Sequence, residues 1–597
     1  MKKKEMTIFI ISIFTSIALS MGFDFAYNSI NFNNGFFSAH IIWFVLFVLI
    51  YNALDKVYSI KKTFIYKHII IVSAIISFLY LLSTYMTNTI NNGVFFSKKL
   101  LLFYSIKYIC DFIISYVIVG LFYNYLDSYK EKKSSSKLIT FLFKNNNQFY
   151  MFFILIFLSY LPWLLNHYPG IASLDSLSQM LQAIGERPYT THHPPLHTFI
   201  ISICLHLGKF IKDYNFGILI YSLLQITICS LTFAYTLLFL EKYKISRKIQ
   251  LILLLYFMAS PIISNFSIIM WKDIPFALSV LWTSLFLIDF EFSPEKFVNS
   301  KQKKFLLFIA TTLVALFRNN GIYCLIFLFI IILFSKNQYK KYLLKIMSIS
   351  FISFFVITGL IFKIANVNKG DQKEAFSVFM QQFAAIRKYK SDKLTPKEIR
   401  NIDVFFKSKN YYKVYDPTFA DYVKNEFSEE YINTHKLDML KNYMKLCFKF
   451  PLLSIYSFVA GSFGYYNPNI VGWKVYNGID SNEKLNIYQK SKIKINYINK
   501  VNDFNNNHNI SFFGTINSCG FYFLLFIVVM GYYLYNRNYR LLFPSMLLLS
   551  VVLTAMLSPV FCERRYVFSL YLLVPILLVF CFKKDGTIEN KKRMEIK

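Results

Sequence analysis

The sequence predicts an all-α polytopic membrane protein with about fourteen transmembrane helices. The chain has 597 residues, of which 55% are hydrophobic and only 16% are charged, and its mean hydropathy is +0.43. Many apolar runs have the roughly 17–25 residues that a helix needs to cross a bilayer. The net charge of +33 comes from lysines and arginines that lie mostly between these runs. Such spacing is typical of cytoplasmic loops, so the charge does not indicate nucleic-acid binding.

The apolar runs divide the chain into five regions. Residues 1–148 form an N-terminal four-helix membrane extension, and residues 149–364 form a central membrane module. Residues 365–511 are polar, and we predict an extracytoplasmic segment of mixed helix and loop. Residues 512–583 hold the C-terminal transmembrane helices, and residues 584–597 form a basic cytoplasmic tail. The predicted spans are Thr7–Phe23, His40–Leu54, His68–Thr87, Leu100–Tyr125, Tyr150–Asn166, Phe216–Leu240, Ile249–Asn265, Ile274–Phe290, Phe305–Phe317, Gly321–Ser335, Leu343–Ile364, Phe521–Tyr535, Leu541–Leu557 and Tyr566–Phe582.

The basic loops predict the orientation of these spans. They all fall on the cytoplasmic side, together with both termini, only if the apolar piece Leu196–Phe210 is not a full crossing. We therefore place this piece as a juxtamembrane helix on the outer face; the alternative is a true span with one basic loop on the wrong side. Several polar loops then share the outer face. They contain Asp175, Met270–Asp273, Arg318–Asn320, residues 365–511 and Cys562–Arg565.

The polar stretch from His167 to His197 contains the first candidate for chemistry, Asp175. It lies among serines just after the end of an apolar run. An acid at the edge of a membrane span is costly to bury, which makes a functional role a reasonable hypothesis. A helix N-cap fits the local sequence equally well, since Asp and Ser both accept backbone N–H bonds.

Four further motifs lie in the outer loops. His192 and His193 precede two prolines that favour entry into a helix containing His197; metal binding is the less favoured interpretation, because adjacent histidines do not easily face one ion. Lys272 and Asp273 begin a span, where they could snorkel and cap the helix. The remaining motifs carry cations that suit phosphate as well as lipid headgroups, namely Arg318 in a tight turn and Arg564, Arg565 and Tyr566 at the start of the last span.

The order of these pieces resembles the GT-C superfamily of integral-membrane glycosyltransferases, which includes the protein O-mannosyltransferases and the lipid A aminoarabinose transferases. The resemblance covers residues 149–582 and rests on short motifs. The matching motifs are Asp175 in PGIASLDS, Pro194-Pro195-Leu196 in HHPPLH, Asp273 in WKDIPFA and Arg565-Tyr566 in ERRYVF.

The resemblance implies transfer of a sugar from a polyprenyl-phosphate donor, outside the cytoplasmic membrane, to a glycan, lipid or protein acceptor of the cell surface. Asp175 would be the catalytic base and Asp273 would support the site. The implied donor phosphate ligands are Lys272, Arg318, Arg564 and Arg565, and the implied substrate-binding or structural residues are His192, His193, His197 and Tyr566.

The resemblance leaves the cofactor open. It allows a divalent cation, Mg²⁺ or Mn²⁺, and does not require one, because no Asp-x-Asp pattern occurs at Asp273. The alternative functions are a transporter or flippase, and a polymerase, for lipid-linked saccharides. A transporter should carry charges at mid-membrane, whereas most acids of this chain lie near one face, which favours an enzyme.

Overall fold

The described residues fold mostly into α-helices. The computed structural model describes residues 3–24, 29–32, 40–59, 63–92, 98–129, 141–143, 147–368, 370, 373, 376–470, 472, 478–506, 512–558 and 560–583. The predicted basic tail, residues 584–597, lies outside this set. The described part contains one short antiparallel hairpin, β1 (Met21–Asp24) with β2 (Ser29–Phe32). The prediction of an all-α membrane protein is confirmed.

The N-terminal extension consists of four long helices. They are α1 (Lys3–Ser20), α2 (His40–Tyr58), α3 (Thr63–Asn92) and α4 (Lys98–Ser128). The first helix ends earlier than predicted, because the chain enters β1 at Met21. Tyr123 of α4 donates to the carbonyl of Val528 at 2.8 Å, which joins this extension to a C-terminal helix.

The central part alternates long helices with short ones at their ends. Its helices are α5 (Gln148–Asn166), α6 (Asp175–Ala183), α7 (Pro195–Ile211), α8 (Tyr214–Lys242), α9 (Arg247–Ala259), α10 (Pro261–Phe266), α11 (Asp273–Phe292), α12 (Pro294–Asn299), α13 (Lys301–Phe317), α14 (Gly321–Phe334) and α15 (Lys340–Ile364). The predicted span Ile249–Asn265 is two helices, because Pro261 has no N–H to continue α9 and instead begins α10.

Eight helices of the described residues are long and apolar enough to cross a membrane, or nine if one bent pair is counted as a span. All eight coincide with predicted spans, which makes the chain a multi-pass membrane protein. They include α3, α4, α5, α8, α11 and α15, together with Tyr539–Met556 and Arg564–Cys581. The other predicted spans are shorter, broken or only partly described; α14, with 14 residues, is about 21 Å long.

Helix α7, the predicted juxtamembrane piece, packs closely on α8. A Cβ added at Gly208 would lie 2.1 Å from the backbone nitrogen of Gly217, so only glycine permits this crossing. The opposite face of α7 exposes Phe199, Ile203 and Phe210. With 17 residues, α7 is at the lower limit of the length of a span, and its exposed apolar face suits contact with lipid.

The polar segment after α15 has a hydrophobic core of its own, which includes Met380, Phe383, Tyr411 and Ile432. Its helices are α16 (Ser377–Tyr389), α17 (Pro396–Asp403), α18 (Asp421–Asn425), α19 (Glu429–Lys449), α20 (Pro451–Ser462) and α21 (Asn496–Asn506). Helices α19 and α20 form the bent pair, with an angle of 106°. The remaining helices are α22 (Phe512–Ile516), α23 (Cys519–Tyr535), α24 (Leu542–Met556) and α25 (Phe568–Cys581). Helices α5, α8, α11, α23 and α25 contribute to the largest hydrophobic core of the described residues.

Candidate functional site

Asp175, Lys272 and Arg565 meet at one end of the helix bundle, although they are far apart in sequence. The carboxylate Oδ2 of Asp175 accepts from Arg565 at 2.9 Å and from Lys272 at 3.3 Å. Both cations are largely buried, whereas about a quarter of the Asp175 side chain (26%) remains exposed. The loops that sequence analysis placed on one face therefore form one ionic cluster, and its acid stays accessible to a substrate.

The backbone before Asp175 is held on two sides. The Ile171 N–H donates to the Ile268 carbonyl, and the Ile171 carbonyl accepts from the Met270 N–H. Ala172 donates to the Gly478 carbonyl and accepts from the Asp480 N–H, both in the polar segment. The Asp480 carboxylate also accepts a hydrogen bond from the Leu174 N–H, at 2.5 Å. Leu174 has a φ of +50°, a conformation that non-glycine residues rarely adopt and that surrounding contacts must maintain.

Asp175 does not act as the helix cap. It is the first residue of α6, the cap position belongs to Leu174, and no cap side chain accepts a hydrogen bond there. Burial alone would raise the pKa of Asp175, but the charges of Lys272 and Arg565 outweigh it and hold that pKa well below its usual range. In the free protein this carboxylate is therefore ionised at neutral pH.

Lys272 also contacts the histidine pair. Its ammonium donates to Nδ1 of His193 at 2.9 Å. Burial and the neighbouring Lys272 charge lower the pKa of His193 to about 2, so this imidazole is neutral at neutral pH and accepts the bond. His192 is exposed, with its ring 4.6 Å from that of His193 in an edge-to-face contact. Of the pair, His193 is the member that reaches the cluster.

Asp273 and Arg318 form a second, deeper pair. Asp273 is fully buried at the start of α11, and its nearest cation is Arg318, with 3.5 Å between Nη1 and Oδ1. Neither carboxylate oxygen of Asp273 has a hydrogen-bond partner among the described residues. Arg318 donates to the Tyr566 carbonyl at 2.9 Å and stacks on the Tyr566 ring at 4.3 Å. Arg318 thus joins the start of α11 to the start of the last span.

Arg565 is surrounded by aromatic rings and one further acid. Its guanidinium lies 4.8 Å from the ring of Trp271 and 5.2 Å from that of Tyr566. Glu563 lies 3.8 Å from the Arg565 Nε, and burial raises the pKa of this carboxyl against the opposing effect of Arg565. Trp271 is 2% exposed and donates to the Ser173 carbonyl. Its ring supports the Arg565 cation.

Two predicted site residues lie outside the ionic cluster. His197 is fully buried and bonds Gln179 at 3.0 Å and Tyr221 at 2.8 Å, which joins α6, α7 and α8. Its contacts are those of a structural residue. Arg564 is also buried, and a Cβ added at Gly472 would lie 3.5 Å from its Cγ, so it packs against the polar segment. The two neighbouring arginines thus differ, because Arg565 bonds Asp175 whereas Arg564 packs against the polar segment.

The residues present do not fit a divalent cation. Among the described residues no group of three or more His, Cys, Asp or Glu side chains could hold a metal ion. Asp175 is neutralised by Lys272 and Arg565, and the nearest charge to Asp273 is Arg318. A bound Mg²⁺ or Mn²⁺ would have to lie beside these cations, so we derive no chemistry from a metal.

Sequence analysis missed three contributors. Asp480 holds the backbone before Asp175, Glu563 lies beside Arg565, and Asn319 donates to the Thr191 carbonyl at 3.0 Å. Glu563 was visible within the predicted motif at the last span, but its burial was not. Nothing in the sequence marks Asp480, because it acts only through a contact with a loop about three hundred residues away.

A family model matches much of this chain. The model of a family of unknown function (DUF6020) matches residues 185–595. The match includes Lys272, Arg318 and Arg565 but begins after α6, so it does not include Asp175. No curated protein and no solved structure matches.

Proposed function

The chain belongs to the DUF6020 family, and we propose that it is a membrane glycosyltransferase of the GT-C type. It would transfer a sugar from a polyprenyl-phosphate donor to a cell-surface glycan, lipid or protein on the extracytoplasmic face. The proposal includes about fourteen crossings with cytoplasmic termini.

The observation that carries the proposal is the position of Asp175 between two cations. An accessible carboxylate within 3.3 Å of Lys272 and 2.9 Å of Arg565 offers both an acceptor for a hydroxyl proton and donors for a phosphate. Transfer of a sugar from a phosphate to a hydroxyl group requires both the proton acceptor and the hydrogen-bond donors to the phosphate. The apolar helices that surround this end of the bundle suit a donor with a long hydrocarbon chain.

A low pKa makes Asp175 a weak base in the free protein, and donor binding would change this. A donor phosphate that bonds Lys272 and Arg565 draws both cations away from the carboxylate. The pKa of Asp175 then rises, because burial, which favours the neutral form, is no longer outweighed. The base would be activated only when the donor is in place.

The transfer step balances without a metal. The bond between the anomeric carbon and the phosphate oxygen breaks, and the acceptor oxygen bonds to that carbon. The acceptor proton passes to Asp175, and the polyprenyl phosphate leaves with the negative charge, which Lys272 and Arg565 stabilise. Arg318 and Asp273 lie behind this group and would position Tyr566 and Lys272.

The test uses purified protein in liposomes that contain polyprenyl-phosphate sugars extracted from cell membranes, with an extract of cell-surface glycans, lipids and proteins added as the source of the acceptor. We expect release of free polyprenyl phosphate with the wild-type protein, and a loss of about 10²–10⁴-fold with Asp175→Asn. Glu186→Gln is the matched control, since Glu186 is an exposed acid near Asp175 that pairs with Lys484.

The same assay separates the transferase from a transporter. A flippase would move the donor across the liposome membrane and leave the bond between sugar and phosphate intact. Movement of intact donor that persists in Asp175→Asn would overturn the proposal.

A further inference from the structure

A second charged feature lies at the other end of the helix bundle. Helix α11 has 20 residues and is about 30 Å long, with Asp273 at its start and Phe292 at its end. Next to Phe292 lies a cavity of about 860 Å³. Six cations line it: Lys242, Lys244, Lys296, Lys303, Arg540 and Lys583. This cavity is therefore separate from the cluster around Asp175.

These cations come from different parts of the fold. Lys242 is the last residue of α8, and Lys244 lies between α8 and α9. Lys296 lies in α12 and Lys303 in α13. The other two, Arg540 and Lys583, lie just before α24 and just after α25. The tendency of cytoplasmic loops to carry cations explains basic residues at this end, but it does not explain their convergence on one concave space.

Among the described residues, the acids near the cavity are fewer than its cations. Among the described residues that line it there is no Asp or Glu. Asp289 is buried in the wall, where it bonds Lys242, Tyr243 and Lys303, the last at 2.8 Å. Glu291 and Glu295 bond Asn337 and Tyr339 instead. Asp289, Glu291 and Glu295 are the carboxylates of α11 and α12 near this end of the bundle.

Aromatic rings hold several of the cations at the cavity wall. The Lys583 ammonium lies 4.0 Å from the ring centre of Phe292, and the Arg540 guanidinium lies 5.2 Å from the same ring. Lys242 lies 5.3 Å from the ring of Tyr243. Rings stabilise a cation without adding negative charge to the cavity wall.

We propose that this cavity binds the phosphate group of an anionic ligand. Its volume lies within the roughly 300–1,000 Å³ of small-molecule sites, and Lys and Arg are the usual partners of phosphate oxygens. A basic pocket between transmembrane helices suits the headgroup of an anionic lipid, and a soluble organic phosphate carries the same chemistry. The inference rests on the cavity alone and is independent of the proposed transferase activity.

The test measures binding of radiolabelled dioleoyl phosphatidic acid to the purified full-length protein in a neutral detergent. The variant is Lys244→Gln with Lys296→Gln, two exposed residues that line the cavity. The matched control is Lys336→Gln with Lys341→Gln, two exposed lysines just before and at the start of α15 that do not line the cavity. Both variants lose two positive charges, so a general effect of net charge would appear equally in both.

We expect saturable binding that weakens about tenfold or more in the cavity variant and changes less than twofold in the control. Glycerol 3-phosphate and inorganic phosphate are added as competitors. Displacement by millimolar glycerol 3-phosphate would identify a soluble phosphate as a ligand, and its failure to displace would identify the lipid headgroup. Equal weakening in both variants, or absence of saturable binding, would overturn the proposal.

Discussion

Charge is arranged differently at the two ends of α11. At the Asp273 end, carboxylates and cations are paired: Asp175 with Lys272 and Arg565, and Asp273 with Arg318. At the Phe292 end, six cations line an open cavity, and two of them share the carboxylate of Asp289. Paired charges in a nearly closed cluster suit a reaction in which a proton and a phosphate change partners. An excess of one sign in an open cavity suits binding without chemistry.

The largest expected difference between the two ends is access from outside the cell. In a Cys447→Ser background, which leaves only the buried native cysteines, a membrane-impermeant thiol reagent applied to intact cells should label Glu186→Cys. Lys244→Cys, which is exposed beside the basic cavity, should stay unlabelled until the cells are opened. Labelling of Lys244→Cys in intact cells would reverse the orientation that the basic loops predict.

The next effect distinguishes two neighbouring arginines to which sequence analysis gave the same role. Arg565→Gln removes a charge-assisted hydrogen bond of the Asp175 cluster and should weaken apparent donor affinity by about 10–100-fold. Arg564→Gln should change donor affinity less than threefold and should instead lower the thermal stability, because Arg564 is buried against the polar segment. Equal losses of donor affinity would mean that both arginines contact the phosphate.

Dependence on pH tests whether donor binding changes the proton affinity of Asp175. The free carboxylate has a depressed pKa, so it stays ionised as pH falls from 8 to 5, and kcat/KM should be flat over this range. In the donor complex the pKa is expected to be higher, so kcat should decline several-fold toward pH 5. The ion pairs of Asp175 should likewise stabilise the folded protein at pH values above about 3.9, the ordinary pKa of an Asp side chain. This stabilisation should be lost only as the pH falls further. An acidic limb of kcat/KM between pH 5 and 6 would identify a different base.

The smallest effect concerns the basic cavity. Asp289→Asn removes the carboxylate that Lys242 and Lys303 share, so phosphatidic acid should bind about fivefold more tightly. The same change should destabilise the fold by about 1–2 kcal/mol, since hydrogen bonds to a buried charged group are lost. Measured binding and thermal unfolding should therefore move in opposite directions, and weaker binding would show that Asp289 is needed to shape the site.

The sequence predicted the membrane helices better than the site. Length and composition identify a span locally, so helices such as α8 and α11 coincide with predicted spans. The contacts of Asp175 with Lys272 and Arg565 join residues 97 and 390 positions apart, which no local pattern specifies. The positions of the basic loops predict that these residues share one face, but they do not predict which of them form ion pairs.

Two buried residues show the same limit. Trp271 is buried because Arg565 and the Ser173 carbonyl cover it. His197 was predicted to be substrate-binding or structural, and its hydrogen bonds with Gln179 and Tyr221 are those of a structural residue. Residue type and position along the chain do not distinguish a side chain that reacts from one that supports the reacting group.

The most direct test of the central claim is the surface glycan profile of cells that lack this protein. The cells are complemented with the wild-type gene, Asp175→Asn or Glu186→Gln, and membrane levels of each protein are matched. The account predicts loss of one sugar substituent in the deletion, restored by wild type and by Glu186→Gln and not by Asp175→Asn. Restoration by Asp175→Asn, or an unchanged profile in the deletion, would contradict a transferase centred on Asp175.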